Sequence, residues 1–521
     1  MYDLLIKGAS VVDGTGAPAY VGDIAVKDGK IVTKPCGDAA QVIDATGLTL
    51  APGFIDAHSH ADYGPGAEAR RLCKSSQGIT TELAGQCGSS RFPFPPADNA
   101  ELTELMYQKV GREAVPAYTL SDYLSWLNTQ PLTTNLGLYV GHSTLRIAAM
   151  GYELRKPTAE ELDTMKTMVR EAMEHGAMGM SSGLIYAPSC YSDEEELVEL
   201  CKVVAEYGGT YATHMRNESR GILEAVAESI SVAEKAGCKL NISHHKICGK
   251  ANWGMSKQTL ELIHQARQRG VDVTVDVYPY TASCTSLDIC LPKPFFSHGP
   301  KGLREKLRDP AVRAQIKEEI QQLDSQHYVN CGGWDGILVT IAANTPAAVN
   351  KTVQQYADSI GKDAFEAYFD LVCDNPGAQA VYFSMCDEDL FRIVCDDNAV
   401  LGTDGLVRTL TDPTHPRGFG SFPRALRVFV REEKLMSLER MVHKMTGLTA
   451  SRFGLATKGI IADGMDADLV LFDPNTVTDR ATYEDSLRVS EGIPYVIVAG
   501  QIVCRDGKLT GATPGRFIAR N

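Results

Sequence analysis

The sequence predicts an α/β fold: a closed (β/α)8 barrel of the TIM type, carrying a small β-sandwich built from both chain ends. Three observations point to it. Eight short apolar runs alternate with helix-periodic stretches through the middle of the chain. Both ends consist instead of brief apolar runs broken by Asp-Gly and Gly turn signals, and ligand-type side chains recur where the middle runs stop. Continuous rather than alternating apolar runs, each followed by a helix, form buried parallel strands, and eight such units close into a barrel.

The elements follow in order. Leu4-Leu5-Ile6, Val11-Val12, Ile24-Ala25-Val26 and Ile31-Val32, with Asp28-Gly29 between the last two, read as β-hairpins. The C-terminus repeats the style in Leu469-Val470-Leu471-Phe472, Tyr495-Val496-Ile497-Val498 and Gln501-Ile502-Val503. Neither end has enough strands to bury a face alone, so residues 1–50 and 455–521 are expected to pair into one sandwich. Between them, residues 51–454 supply the barrel. Its strand runs start at Leu48, Ile79, Asn135, Met178, Thr210, Leu240, Val271 and Ala399, and helical periodicity covers 158–175, 193–207 and 219–236. An open doubly wound sheet is the competing architecture. It lacks a phosphate loop here, because Gly14-Thr15-Gly16-Ala17-Pro18-Ala19 opens no helix. Residues 284–342 are polar and helix-prone and fall between the seventh and eighth barrel runs, where insertions cover active sites; they read as a lid or cap.

Composition narrows the function classes. The 521 residues carry 51 basic and 65 acidic side chains, a net charge of −14 that disfavours nucleic acid or an anionic membrane as partner. No apolar run approaches the ~18 residues of a membrane span, and Met1-Tyr2-Asp3-Leu4-Leu5-Ile6-Lys7 lacks the features of a secretory signal. The fourteen cysteines are scattered with no Cys-x-x-Cys spacing, which reads as reduced thiols in a cytoplasmic protein, one or two of them available to a metal.

Side chains at the C-terminal ends of barrel strands face the active site. His58-Ser59-His60 ends the first run, and in an extended segment residues i and i+2 point to the same side, so the two imidazoles converge. Cys87 follows the second run within Gly85-Gln86-Cys87-Gly88. His214, His244 and Asp404 close three later runs. A lone strand-end histidine or cysteine is more often a satisfied core residue than a ligand. Five strand ends bearing only nitrogen, sulfur or carboxylate donors make a divalent-metal site, with zinc the ion they suit.

These segments resemble a known family. Pro52-Gly53-Phe54-Ile55-Asp56-Ala57-His58-Ser59-His60 is similar to the opening motif of the amidohydrolase superfamily. Gly85-Gln86-Cys87-Gly88, Val140-Gly141-His142, Ser182–Pro188, Thr213-His214-Met215-Arg216 and Ser243-His244-His245-Lys246 resemble the N-acyl-D-amino-acid deacylases, as do Tyr278-Pro279-Tyr280, Gly402-Thr403-Asp404-Gly405 and His415-Pro416-Arg417. The resemblance implies a tightly held Zn²⁺ on Cys87, His214 and His244, a second and weaker metal position at His58 and His60, and Asp404 as general base. It implies that Lys246, Tyr278 and Arg417 hold the carboxylate of a small N-acyl-amino-acid substrate. Tyr186, His142 and Arg216 are read as supporting or substrate contacts, with a purely structural role the alternative for each. His245, on the opposite strand face from His244, is left outside the site.

Two departures from the wider pattern stand out. No lysine occupies the strand end where most of the superfamily has a carboxylated bridging lysine, and Cys87 takes that place. Ser283-Cys284 stands where a Ser-Ser pair is usual after the Tyr-Pro-Tyr segment. The expected activity is zinc-dependent hydrolysis of N-acyl-D-amino acids to a carboxylate and a free D-amino acid. A cyclic-amide hydrolase of the dihydropyrimidinase or dihydroorotase kind, and a metal-free scaffold protein, are the alternatives.

Overall fold

The computed structural model of the chain describes residues 1–322 and 327–520. At its centre lies a parallel sheet of eight strands: β1 (Phe54–Asp56), β2 (Ile79–Ala84), β3 (Asn135–Gly141), β4 (Gly179–Gly183), β5 (Thr210–His214), β6 (Lys239–Ile242), β7 (Val273–Val277) and β8 (Ala399–Leu401). They are hydrogen-bonded to one another in that order and overlap the eight runs read from the sequence. Nearly every strand residue is buried, which is why none of the runs shows a polar face. The sheet closes between β1 and β8, where Ala57 donates its N–H to the Leu401 carbonyl (3.1 Å) and Asp404 donates to the His58 carbonyl (2.8 Å). Ile55, Leu83, Tyr139, Ala212 and Val400 pack together, so the barrel is a filled core. Where β4 begins, Gly179 has φ 152°, and a Cβ there would stand 1.9 Å from the Thr210 carbonyl oxygen. Only glycine lets β4 and β5 approach at this point.

The helices form where their caps dictate. Thr158 and Glu161 make a reciprocal capping box that starts the helix Ala159–Glu174, and the Asp193 carboxylate caps Glu194–Glu206.

The two chain ends meet as expected. Thr49–Pro52 pairs antiparallel with Leu469–Phe472, which joins the N-terminal and C-terminal strands into one nine-stranded sheet, eight strands in a continuous path and Ala39–Asp44 paired beside Tyr2–Val11. Ile6, Val26, Leu50, Leu469 and Ile497 share its core. Asp28-Gly29 turns the strand Tyr20–Lys27 into the strand Lys30–Val32 with φ 52° and 72°, the pair of positive values that a two-residue hairpin turn demands.

Between β7 and β8 the chain leaves the barrel. Ala282–Ser286 pairs with Gln379–Phe383, which pairs in turn with Ile337–Ile341, and four helices pack on this sheet around Leu303, Ile316, Trp334, Tyr368 and Phe369. The polar stretch 284–342 therefore belongs to a larger folded unit that continues through Phe383. No helix among the described residues is long and apolar enough to cross a membrane.

The seam between β1 and β8 is held by side chains as well as backbone. Lys74, in α1 (Glu68–Ser75), is buried and donates to Asp56 Oδ2 (2.5 Å), Thr403 Oγ1 (2.7 Å) and Ser59 Oγ (3.2 Å), with Glu82 Oε2 at 3.4 Å. Asp56 Oδ1 also accepts the N–H groups of Thr403 (2.8 Å) and His58 (3.1 Å). Burial disfavours the charged lysine, but Asp56 and Glu82 outweigh it and raise its pKa. Lys74→Met strands two buried carboxylates and is expected to cost about 3–5 kcal/mol of stability, measurable by urea denaturation; a loss below ~1 kcal/mol would show the seam does not depend on this lysine.

Candidate metal centre and active site

Cys87 lies at the focus of the predicted residues. Its Sγ is 3.3 Å from His58 Nε2, 3.3 Å from His244 Nε2 and 3.7 Å from His214 Nδ1. Those separations match the ~3.5 Å expected between sulfur and nitrogen donors on one tetrahedral zinc, with Zn–S near 2.3 Å and Zn–N near 2.0–2.1 Å. His58, Cys87, His244 and Asp404 form one group of potential metal ligands, and His214, Glu218 and His244 form another. His60 stands at the edge of the first group, its Nε2 3.0 Å from Asp404 Oδ1, with its ring centroid 5.5 Å from that of His58. The sulfur thus touches both the His214–His244 pair and the His58 side of the cluster.

Glycines make this approach possible. A Cβ on Gly85 would lie 2.3 Å from the Tyr139 carbonyl oxygen, and one on Gly88 would lie 2.7 Å from the Gly183 nitrogen. Cys87, His244 and Asp404 themselves adopt left-handed φ values of 54°, 37° and 47°. Non-glycine residues rarely adopt that region, and such strain gathers at functional sites.

The charges support one another. Burial alone would raise the Cys87 thiol pKa, but His58 and His244 outweigh it and hold the thiol well below its ordinary value. Burial likewise opposes ionisation of Asp404, yet Arg417, His244 and His60 keep its carboxyl well below the usual range. His60 is pushed up to about 9 by Asp404 and Cys87 against the effect of burial.

Two carboxylates that the sequence reading passed over support the ring. Asp276 lies 3.2 Å from His58 Nδ1 and accepts the His244 N–H (2.8 Å) and Asn241 Nδ2 (2.7 Å). Glu218 Oε1 is 2.5 Å from Lys246 Nζ, 3.3 Å from His244 Nδ1 and 3.7 Å from His214 Nε2. Such outer carboxylates fix imidazole orientation and basicity at metal sites. Each had a signal. Asp276 is a carboxylate inside a wholly buried strand, and Glu218 is an acid four residues beyond a strand-end histidine.

Lys246, Tyr278, Arg417 and Tyr186 all line the same cavity of about 790 Å³, together with His60, Cys87 and Asp404. Two cations lie near the Tyr278 ring, Arg417 at 4.6 Å and Lys246 Nζ at 5.7 Å from its centroid. The buried Tyr278 hydroxyl has no hydrogen-bond partner among the described residues. Arg417 Nη1 is 2.8 Å from Asp404 Oδ2, an ion pair whose alignment leaves that nitrogen without a hydrogen bond. Tyr186 stands edge-on to His214, ring centroids 5.0 Å apart. Cys284 faces the cavity, and its carbonyl accepts from Arg417 Nη2 (3.1 Å).

His142 and Arg216 serve the scaffold instead. His142 bonds Glu196 (2.8 Å) and Ser189 (2.9 Å) beneath the barrel rim. Arg216 pairs with Glu228 (2.9 Å) and ties down the carbonyls of Cys190 and Ser192. His245 points away from the cluster and bonds Thr259 Oγ1 (2.8 Å).

A closed parallel barrel with donor residues at its strand ends defines a metallo-hydrolase scaffold of the amidohydrolase kind. The amidohydrolase family model matches residues 41–368 and 395–504. N-acyl-D-aspartate deacylase of Alcaligenes xylosoxydans xylosoxydans is 36% identical over 99% of this chain and 95% of its own length. The D-aminoacylase of the same organism is 35% identical over 100% of this chain and 98% of its own. Among solved structures, the N-acyl-D-glutamate deacylase of Bordetella bronchiseptica, complexed with zinc and a phosphonate mimic of the tetrahedral intermediate, superimposes with a TM-score of 0.84. It is 34% identical, with 99% of each chain covered. The chain belongs to the amidohydrolase family and, within it, to the N-acyl-D-amino-acid deacylases.

Proposed function

We propose that this protein is a zinc-dependent deacylase that cleaves N-acyl-D-amino acids to a carboxylate and a free D-amino acid. The observation supporting it most directly is the Cys87 sulfur surrounded by His58, His214 and His244 nitrogens at 3.3–3.7 Å. One anionic sulfur with neutral imidazoles is a donor set that suits zinc, so Cys87, His214 and His244 are assigned to the tight ion, and His58 and His60 to a second, weaker position. Zinc bound there supplies a Lewis acid and lowers the pKa of a water from 15.7 towards about 7.

The chain's own groups do the rest. Arg417, Lys246 and the unpartnered Tyr278 hydroxyl take the substrate α-carboxylate, Arg417 through its planar fork and Lys246 as a point charge. A substrate carboxylate competes with Asp404 for Arg417 and so loosens the 2.8 Å pair that depresses the base. Asp404 Oδ1, steered by His60, accepts the proton of the attacking water and returns it to the leaving amine nitrogen. Tyr186, edge-on to His214, is assigned as a further substrate contact.

Neither buried lysine near the barrel rim offers the bridge that cyclic-amide hydrolases use. Lys74 is bound to Asp56 and Thr403, and Lys246 to Glu218. All fourteen cysteines are free thiols, and a thiolate ligand suits a reducing compartment, so the cytoplasm is the proposed setting. The test is a panel of N-acetyl-D- and N-acetyl-L-amino acids given to purified protein with and without chelator. Hydrolysis of D-substrates that chelator abolishes is expected; hydrolysis confined to L-substrates, or indifferent to chelator, would overturn the reading.

A further inference from the structure

We propose that His415 is a positioning residue for Arg417: its imidazole bridges the Arg417 backbone to the first strand of the insertion and so sets where the guanidinium stands. The role rests on the deacylase reading above, in which Arg417 takes the substrate α-carboxylate.

His415 is buried, at 1% exposure, and both of its ring nitrogens are engaged. Nε2 lies 2.9 Å from the Ala282 carbonyl oxygen, and Nδ1 lies 3.0 Å from the Arg417 backbone nitrogen. A carbonyl only accepts and a backbone N–H only donates, so the proton is on Nε2 and Nδ1 presents its lone pair. The ring is thereby held in one neutral tautomer. Burial, and next the Arg417 charge, hold its pKa well below the ordinary value and keep it neutral. Tyr280 and Tyr483 stand edge-to-face with it, each ring centroid 5.2 Å away, so the imidazole has little room to turn.

The bond to Arg417 answers a need of the local backbone. Arg417 opens the helix Arg417–Ala425, whose first N–H groups have no partner within the helix, and Pro416 supplies no side-chain cap. His415 Nδ1 takes the N–H of Arg417 itself. On its other side the imidazole meets the insertion sheet at its outer strand, Ala282–Ser286, which is paired along one edge with Gln379–Phe383. An outer strand leaves backbone groups free along its second edge. The carbonyls of Ala282 and Cys284, two residues apart, accept from His415 and from Arg417 Nη2 (3.1 Å) respectively. Arg417 is thus referred to one strand at both ends of its side chain, at the backbone through His415 and at the tip through Cys284. Because the contact at 284 is made by a carbonyl, it does not depend on the side chain there. Held in this way, the guanidinium lies 4.6 Å from the Tyr278 ring centroid and 2.8 Å from Asp404 Oδ2. A planar fork binds a carboxylate well only when it is correctly aimed, so a small shift of its base weakens binding of the acid.

The experiment compares two substrates: the N-acetyl-D-amino acid turned over fastest in the panel above, and its α-carboxamide, which lacks the charge that Arg417 reads. Acetate release by the zinc-loaded enzyme gives kcat/KM for each in the natural protein and in His415→Ala, His415→Asn and His415→Gln. The natural protein is expected to favour the acid over the amide by about tenfold or more. In His415→Ala that ratio should fall about tenfold, chiefly through a raised KM for the acid. Asparagine carries its amide oxygen where Nδ1 stands and still accepts the Arg417 N–H, so His415→Asn should recover most of the ratio. Glutamine reaches Ala282 instead and lacks that acceptor, so His415→Gln should stay low. A ratio taken within one preparation is independent of the folded fraction, and the asparagine–glutamine pair decides the matter even where alanine does not fold. If His415→Ala and His415→Gln slow both substrates equally, or if His415→Asn is as impaired in the ratio as they are, His415 merely packs and the positioning role is overturned. Equal turnover of acid and amide by the natural protein would overturn Arg417 as the carboxylate anchor, and no hydrolysis of any D-substrate would overturn the deacylase reading; the role of His415 falls with either.

Discussion

Replacing Asp404 by asparagine is expected to lower kcat by about 10²–10⁴-fold, the range over which a positioned general base acts, while zinc stays near one ion per chain. Asparagine is the informative substitution because residue 404 sits at φ 47°, a conformation asparagine tolerates better than most residues. The backbone that bonds the His58 carbonyl through the residue 404 N–H is therefore kept, and only the carboxylate is lost. That carboxylate is placed against both His60, at 3.0 Å just beyond the first barrel strand, and Arg417, the cation proposed to hold the substrate carboxylate, at 2.8 Å. Steady-state kinetics with N-acetyl-D-amino acids, beside metal analysis of the same sample, separates loss of the base from loss of the ion. Most of the rate surviving in Asp404→Asn with zinc retained would exclude this residue as the proton acceptor.

The barrel was legible because its strands are buried on both faces and so appear as plain apolar runs; β2, β3 and β5 need no further signal. The site was legible for a related reason. Strand ends of a barrel converge, so chemistry-bearing side chains recurring at run ends predict a common point without knowledge of the loops. Asp276 and Asp56 were less visible. Each sits inside an apolar run, and what it bonds is set by strands far away in sequence: Asp276 by His58, 218 residues distant, and Asp56 by Thr403, 347 residues distant. A buried carboxylate must have partners, so its presence in such a run announces a polar network but not its members. His142 and Arg216 illustrate the opposite limit. Their residue types suit a site, but Glu196 and Glu228 neutralise them outside the cavity, and only the packing reveals it. The insertion between β7 and β8 is read short by composition because its later part, Ala364–Asp374 followed by Gln379–Phe383, has the helix-then-strand pattern of another barrel unit while pairing antiparallel in a separate sheet.

Cys87→Ala is expected to remove both the ion and the activity. The three imidazoles around the sulfur are neutral donors when they bind a metal, so Cys87 is the cluster's anionic ligand wherever Asp404 is reserved for proton transfer. Losing it should weaken zinc binding by more than the ~10–100-fold that loss of an outer-sphere partner costs, because the charge that attracts the ion goes with it. The chain should then lose zinc on dialysis against a weak chelator that leaves the natural protein loaded. Thermal stability offers a second readout. An ion present at ~1,000 times its Kd stabilises the folded state by about 4 kcal/mol, so EDTA should lower the Tm of the natural protein and leave that of Cys87→Ala unchanged. Serine does not substitute for cysteine here, since the imidazoles that ionise a thiol do not ionise a hydroxyl, whose pKa lies far higher. Thiol chemistry distinguishes Cys87 from the other cysteines as well. Burial pushes Cys73, Cys248, Cys290 and Cys504 up to about 12, whereas Cys87 is the thiol held down by neighbouring imidazoles. In zinc-free protein, alkylation should therefore label Cys87 ahead of these four, and zinc should protect it. A Cys87→Ala protein that retains stoichiometric zinc and turnover would mean that the ion is held without the thiolate, and the assignment of the tight site would have to move to the histidines and Asp404 alone.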